Sequence, residues 1–145
     1  MASEKKHTAL LNMPSKRRRV IELGCGSGDD LFDVYDVFSD IEGIQWLGLD
    51  LNYPQISAEK RRSRFIITER KMQSINFLTA DLFRLPLADA SLEMLLCCKV
   101  VEHLLDPQKA LADMTKVLKP SGYALITTLN SDNLTERLGY MLLTS

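Results

Sequence analysis

Arg19-Val20-Ile21-Glu22-Leu23-Gly24-Cys25-Gly26-Ser27-Gly28-Asp29-Asp30 decides how the rest of the chain reads. The short apolar run Arg19–Leu23 stops at glycines, which marks a buried strand. Gly24, Gly26 and Gly28 let the backbone turn tightly and approach a ligand with no Cβ in the way. Asp29 and Asp30 then open a helix, at whose positive end carboxylates are favoured. Leu31, Val34, Tyr35 and Phe38 follow at helical spacing.

Working outward, the same alternation repeats. Ile44–Asp50 is a second strand, and Pro54 opens a charged helix running to about Arg70. Ile75–Ala80 and Leu92–Cys98 are the third and fourth strands. Pro107–Leu118 is a helix with Leu111, Met114 and Leu118 on one face, ended by Lys119-Pro120-Ser121-Gly122. Ala124–Thr128 is a fifth strand, and Leu134, Leu138 and Met141/Leu142 suggest a final helix. Strands alternating with helices make an α/β fold with a mostly parallel sheet. Such sheets bind ligands beyond the carboxyl ends of their strands, where strand order reverses. The glycine loop follows the first strand, where that rule places a ligand.

The bulk properties narrow the class. The chain has 145 residues, 46% of them apolar and 26% charged, with a formal net charge of −1. That suits one globular domain over residues 19–145, preceded by a basic, loosely ordered leader over 1–18 with a short helix at Thr8–Met13. Cys25, Cys97 and Cys98 have neither disulfide-framework nor zinc spacing, so a reducing, cytoplasmic setting is expected. The N-terminus lacks a secretory apolar region, and no run reaches the length of a membrane span. Lys16-Arg17-Arg18-Arg19 and Lys60-Arg61-Arg62-Ser63-Arg64 could attract a polyanion. Glu59 and Glu69 dilute the second cluster and no aromatics interleave, so a solvated face is expected and nucleic acid is not.

The loop also discriminates between cofactors. A dinucleotide fold needs G-x-G-x-x-G with a pyrophosphate on the helix N-terminus. Here Asp29 holds the third glycine position, and Asp30 follows. Two carboxylates repel a pyrophosphate and favour a cation. S-adenosylmethionine carries a sulfonium and an ammonium and no phosphate, and Glu22 adds a carboxylate suited to the ammonium. The competing reading is a glycine turn with surface acids. Asp50 ends the second strand roughly 20 residues after the loop, where an acid can accept both ribose hydroxyls; alternatively it caps the next turn. Asp81 ends the third strand, where it can accept from an adenine amino group while Leu82 packs on the ring, or simply form a turn.

Five segments together carry a family resemblance. V-I-E-L-G-C-G-S-G-D resembles the first motif of class I methyltransferases, and G-L-D-L-N the second. A-D-L-F-R-L-P-L-A-D-A-S-L-E resembles the adenine-side segment of the small-molecule branch often called type 11. V-V-E-H-L-L-D-P and M-T-K-V-L-K-P-S-G-Y-A-L-I-T-T-L-N resemble its fourth- and fifth-strand motifs. The resemblance implies a Rossmann-like three-layer α/β/α sandwich with about five strands. It implies S-adenosylmethionine-dependent methyl transfer to a small or medium-sized acceptor. The expected cofactor contacts are Glu22, Gly24, Cys25, Gly26, Gly28, Asp50, Leu51, Asp81 and Leu82, with a backbone contact near Lys99. The competing reading is an inactive or truncated remnant that serves as a cofactor-binding or interaction module. A nicotinamide dehydrogenase is disfavoured by Asp29, and aminopropyl transfer by the lack of an acidic polyamine-binding segment.

Methyl transfer from a sulfonium mainly needs alignment and water exclusion, with a base only if the acceptor starts protonated. His103 follows the fourth strand where the methyl group should point and is the candidate base; otherwise it is a helix-start histidine bonded locally. Ubiquinone-type O-methyltransferases and small-RNA 2′-O-methyltransferases bind a divalent ion with a similar E-x-x-E-H segment. Glu102 and His103 match, but Lys99 replaces the first Glu, so no metal is expected there. The family sheet normally adds an antiparallel hairpin after the fifth strand. The chain ends at Ser145, so that hairpin should be lacking. The fifth strand should then be an open edge, covered by a dimer mate or another partner.

Overall fold

The computed structural model describes residues 18–38, 41–52, 54, 58, 75–129 and 138–144. Its frame is a six-stranded sheet: β1 (Arg18–Leu23), β2 (Ile44–Asp50), β3 (Ile75–Thr79), β4 (Leu92–Cys98), β5 (Leu118–Leu129) and β6 (Leu138–Thr144). The strand order is β3-β2-β1-β4-β5-β6. The first five strands run parallel, in register such as Val20↔Trp46, Val20↔Met94 and Trp46↔Ile75. The chain moves outward from β1 to β3, then returns to place β4 on the other side of β1. The strand order therefore reverses between β1 and β4, where the glycine loop leaves the sheet.

Central strands buried on both faces read as continuous apolar runs. Alternate residues of β1 and β4 feed two separate cores. Val20, Met94 and Leu96 face one core, while Ile21, Leu95 and Cys97 face the other. Helix α1 (Asp29–Val37) covers the first face. It buries Leu31, Val34 and Tyr35, and its rings tilt against the sheet, Tyr35 on Trp46 at 5.1 Å and Phe32 on Phe77 at 6.1 Å. Helix α2 (Pro107–Val117) covers the second face with Ala110, Met114 and Val117. Its start is set by Pro107 and by the Asp106 carboxylate, which accepts from the Lys109 N–H at 2.9 Å. Each Leu- or Phe-sized side chain so removed from water contributes about 1.5–3 kcal/mol.

At the amino end of the sheet, Glu93 is only 5% exposed. Its carboxylate accepts from the Arg19 N–H at 2.8 Å and pairs with Lys119, tying β1, β4 and β5 together. Lys119-Pro120-Ser121-Gly122 does end α2, and it also bulges within β5. The β4–β5 register jumps from Leu92↔Leu118 to Met94↔Tyr123, and Ser121 takes a φ of 66°.

Two expectations for the chain's end are corrected. The final helix is instead β6, antiparallel to β5 from Leu129↔Leu138 to Tyr123↔Thr144. The apolar residues of Tyr140-Met141-Leu142-Leu143 are contiguous rather than helically spaced. Pairing them with β5 satisfies a row of N–H and C=O groups that an edge would leave open. β5 is consequently not an open edge, and the dimer mate or partner expected to cover it has no edge to cover. The sheet also gains a first antiparallel strand where none was expected. The helices expected over Thr8–Met13 and from Pro54 to about Arg70 lie outside the described residues, apart from Pro54 and Ala58.

Candidate functional site

The loop after β1 is held open from beneath. Gly24, Gly26 and Gly28 all take positive φ, at 68°, 48° and 73°. A Cβ on Gly24 would lie 2.4 Å from Val100 Cγ2, so the loop is packed against the segment after β4. A Cβ on Gly26 would meet nothing within 4 Å. Its backbone faces open space, as a cradle for a ligand does. The Gly24 and Cys25 N–H groups donate to Leu49 O at 2.7 and 3.0 Å, and the Gly26 N–H donates to Asp50 Oδ2 at 2.8 Å. Asp50 Oδ1 accepts from the Asn52 N–H at 2.7 Å. The carboxylate thus clamps both the loop and its own turn, and each oxygen keeps a lone pair for a further donor.

Glu22 is the unusual residue. It is the penultimate residue of β1, with 1% exposure, on the α1 face. Burial, followed by Asp30, Asp50 and Asp29, pushes its carboxyl up to about 8, against the opposing N–H of Leu31. Its Oε2 has no hydrogen-bond partner among the described residues. Such a group is costly unless something supplies a donor. The charged groups acting on it are acids, so a cationic donor is favoured there. These features fit the ammonium end of S-adenosylmethionine.

The profile of a methyltransferase-domain family matches residues 14–140. The chain belongs to this methyltransferase-domain family. It is 30% identical over 122 residues to the O-methyltransferase cnsE of Penicillium expansum, covering 83% of this chain and 41% of that protein. It is 29% identical over 113 residues to a probable S-adenosylmethionine-dependent methyltransferase of Mycolicibacterium smegmatis, covering 78% of this chain and 38% of that one. The crystal structure of a SAM-dependent methyltransferase from Aquifex aeolicus shares the fold, with a TM-score of 0.67 at 15% identity, over 93% of this chain and 77% of that one. The chain spans between 31% and 48% of the length of such curated relatives.

Within this methyltransferase domain, the predicted residues fall into distinct places. Glu22, the glycines and Asp50 gather at the carboxyl ends of β1 and β2. Asp81 joins them from the end of β3, through an Ala80 N–H that donates to Asp50 O at 2.9 Å. The Asp81 side chain caps a 3-10 turn, Leu82–Arg84, by accepting from the Phe83 N–H at 2.9 Å. Leu51 is 68% exposed beside the loop, and Leu82 is half-buried. Cys25 is buried, and its Sγ lies 2.9 Å from the Cβ position of Gly48, so its thiol faces the core and only its backbone faces the loop. Lys99 takes a φ of 55°, with its N–H donating to Thr127 O at 2.9 Å and its side chain exposed. His103 lies in a second 3-10 turn, Val101–His103, exposed and with no side-chain hydrogen bond among the described residues. Both oxygens of neighbouring Glu102 are buried without a partner among those residues.

Cys98 is the residue that sequence reasoning missed, and Asp30, expected to favour a cation, joins it beside Glu22. Their Oδ and Sγ atoms lie with a Glu22 oxygen, all within 4.8 Å of one another. Strand parity signals this grouping: Cys98 follows Met94 and Leu96 on the face that Glu22 shares with Val20. A cavity lined by Arg19, Ile21, Trp46, Leu47 and Asn76 lies toward the amino ends of the strands and contains none of these acids.

Proposed function

We propose that the domain binds S-adenosylmethionine across the carboxyl ends of β1, β2 and β3 and transfers its methyl group to a small or medium-sized acceptor. The observation that carries this reading is the buried Glu22 carboxyl, with an unpartnered oxygen among acids and beside the open cradle at Gly26. Glu22 takes the ammonium. The lone pairs left on Asp50 accept the ribose hydroxyls, and Gly24, Gly26 and Gly28 admit the cofactor backbone-close. Cys25 contributes its backbone only. Asp81 accepts from the adenine amino group, Leu51 and Leu82 flank the ring, and the backbone at Lys99 closes the site. The cofactor supplies an electrophilic methyl on a sulfonium, so the chain's task is alignment and water exclusion. The Penicillium relative's name makes a hydroxyl oxygen the first acceptor to test. His103, exposed beyond β4, is the base that such an acceptor requires. Three cysteines without a disulfide suit a cytoplasmic setting, and among the described residues no helix is long and apolar enough to cross a membrane.

Calorimetry with S-adenosylmethionine, its demethylated product and NAD tests the reading. Binding of the two sulfur compounds and not NAD supports it, and folded protein that binds neither sinks it. Binding without turnover on a panel of hydroxyl acceptors favours the inactive, cofactor-holding remnant. If His103→Ala leaves turnover on such acceptors intact, the base assignment fails.

A further inference from the structure

Sequence spacing placed no metal after the fourth strand, at Lys99, Glu102 and His103. The fold collects potential ligands elsewhere. Glu22 from the end of β1, Asp30 from the first turn of α1 and Cys98 from the end of β4 bring two carboxylate oxygens and one sulfur within 4.8 Å of one another. One member is almost wholly buried, and an oxygen of it lacks a partner among the described residues. Among the described residues no cation is seen to act on Glu22, where Asp29 and Asp50 add to the negative potential. Lys99 follows Cys98 but is exposed.

We propose that Glu22, Asp30 and Cys98 form a binding site for a thiophilic divalent cation of the Zn2+ class, and that filling it excludes the ammonium end of the cofactor. Zinc takes carboxylate oxygens at about 2.0–2.2 Å and thiolate sulfur at about 2.3 Å. The three groups need only draw together by roughly 1 Å to reach such a shell. Three protein ligands leave a fourth position for water. The thiol enters as thiolate and Glu22 as carboxylate, their protons passing to buffer. A sulfur ligand selects against Mg2+ and Ca2+, which require oxygen shells. Bound zinc would occupy the Glu22 carboxylate that the cofactor's ammonium needs, so metal and cofactor compete. The competition rests on the cofactor reading above, whereas the metal site does not.

Cobalt substitution tests the site without cofactor or turnover. Co2+ titrated into the full chain should give a thiolate-to-cobalt charge-transfer band that saturates at about one ion per chain and is displaced by Zn2+. Cys98→Ser should abolish the band, and Cys97→Ser, altered on the opposite face, should retain it. Glu22→Gln, an independent variant, should weaken Zn2+ binding by about tenfold or more. A band that survives Cys98→Ser, or Zn2+ affinity unchanged in both Cys98→Ser and Glu22→Gln, overturns the site. With the site filled, S-adenosylmethionine affinity should fall at least about tenfold and return on chelation. Unchanged cofactor affinity at saturating Zn2+ overturns the exclusion. A Cys98-dependent band in a protein that binds no S-adenosylmethionine would leave the metal site standing and remove the cofactor reading instead.

Discussion

Two buried glutamates lie at opposite ends of the same sheet, and they have opposite fates. Glu93, at the amino end of β4, accepts from the Arg19 N–H and pairs with Lys119. Burial alone would raise its pKa, but those hydrogen bonds prevail and hold it below the usual carboxylate range. Glu22, at the carboxyl end of β1, is buried among Asp30, Asp50 and Asp29 and rises to about 8. A charge neutralised within the chain builds structure. A carboxyl buried without a counter-charge keeps its proton near neutral pH, costs stability when it ionises, and persists where it has an external partner. The amino end of this sheet is therefore scaffold, and the carboxyl end keeps a buried carboxyl with no counter-charge among the described residues.

Mutations that exchange the two fates should have separable effects. Glu22→Gln should weaken S-adenosylmethionine binding by about a hundredfold, through loss of a charge-assisted hydrogen bond. The same change should stabilise the ligand-free protein at pH 8. Because folding raises the Glu22 pKa, the folded state holds the extra proton between about 4.5 and 8. Wild-type stability should decline as pH rises across that window, and the variant should lose this slope. Thermal melts at a series of pH values measure both.

Lys119→Ala should do the reverse, costing about 1–3 kcal/mol because Glu93 is left buried and unpaired while Lys119 itself is partly exposed. Cofactor affinity should stay unchanged. Denaturant unfolding and calorimetry on one preparation read both quantities. The Glu93 contribution carries the opposite pH sign. It is present above the ordinary carboxylate pKa and is lost as acid protonates the lowered group.

Asp50→Ala should weaken cofactor binding by at least about tenfold, and it should also destabilise the loop by removing the acceptor for the Gly26 N–H. Asp50→Asn keeps one oxygen acceptor and should fall between the two in a binding titration. Asp81→Ala should have the smallest effect, about threefold on affinity, because Asp81 is partly exposed and water screens its hydrogen bond.

Much of this was legible in the sequence. Continuous apolar runs broken by glycine and proline gave the five parallel strands, and Asp29 in place of a glycine pointed to a cation. Three features depend on contacts between segments that local periodicity does not connect. The residues of β6 read as a helix from their spacing, because strand pairing with β5 is invisible to local periodicity. Spacing marks Asp50 as ribose-binding or turn-capping, whereas its clamp on Gly26 spans 24 residues. Asp30 and Cys98 approach Glu22 only once β1, α1 and β4 have packed.

The central claim is that Glu22 ionises to hold the cofactor's ammonium. Calorimetric titration of S-adenosylmethionine near pH 7, in buffers of differing ionisation enthalpy, counts the protons exchanged. A carboxyl raised to about 8 is mostly protonated there. Wild type should release close to one proton on binding, and Glu22→Gln should release none and bind far more weakly. Equal affinity in the two proteins, with no proton released by wild type, would contradict the account.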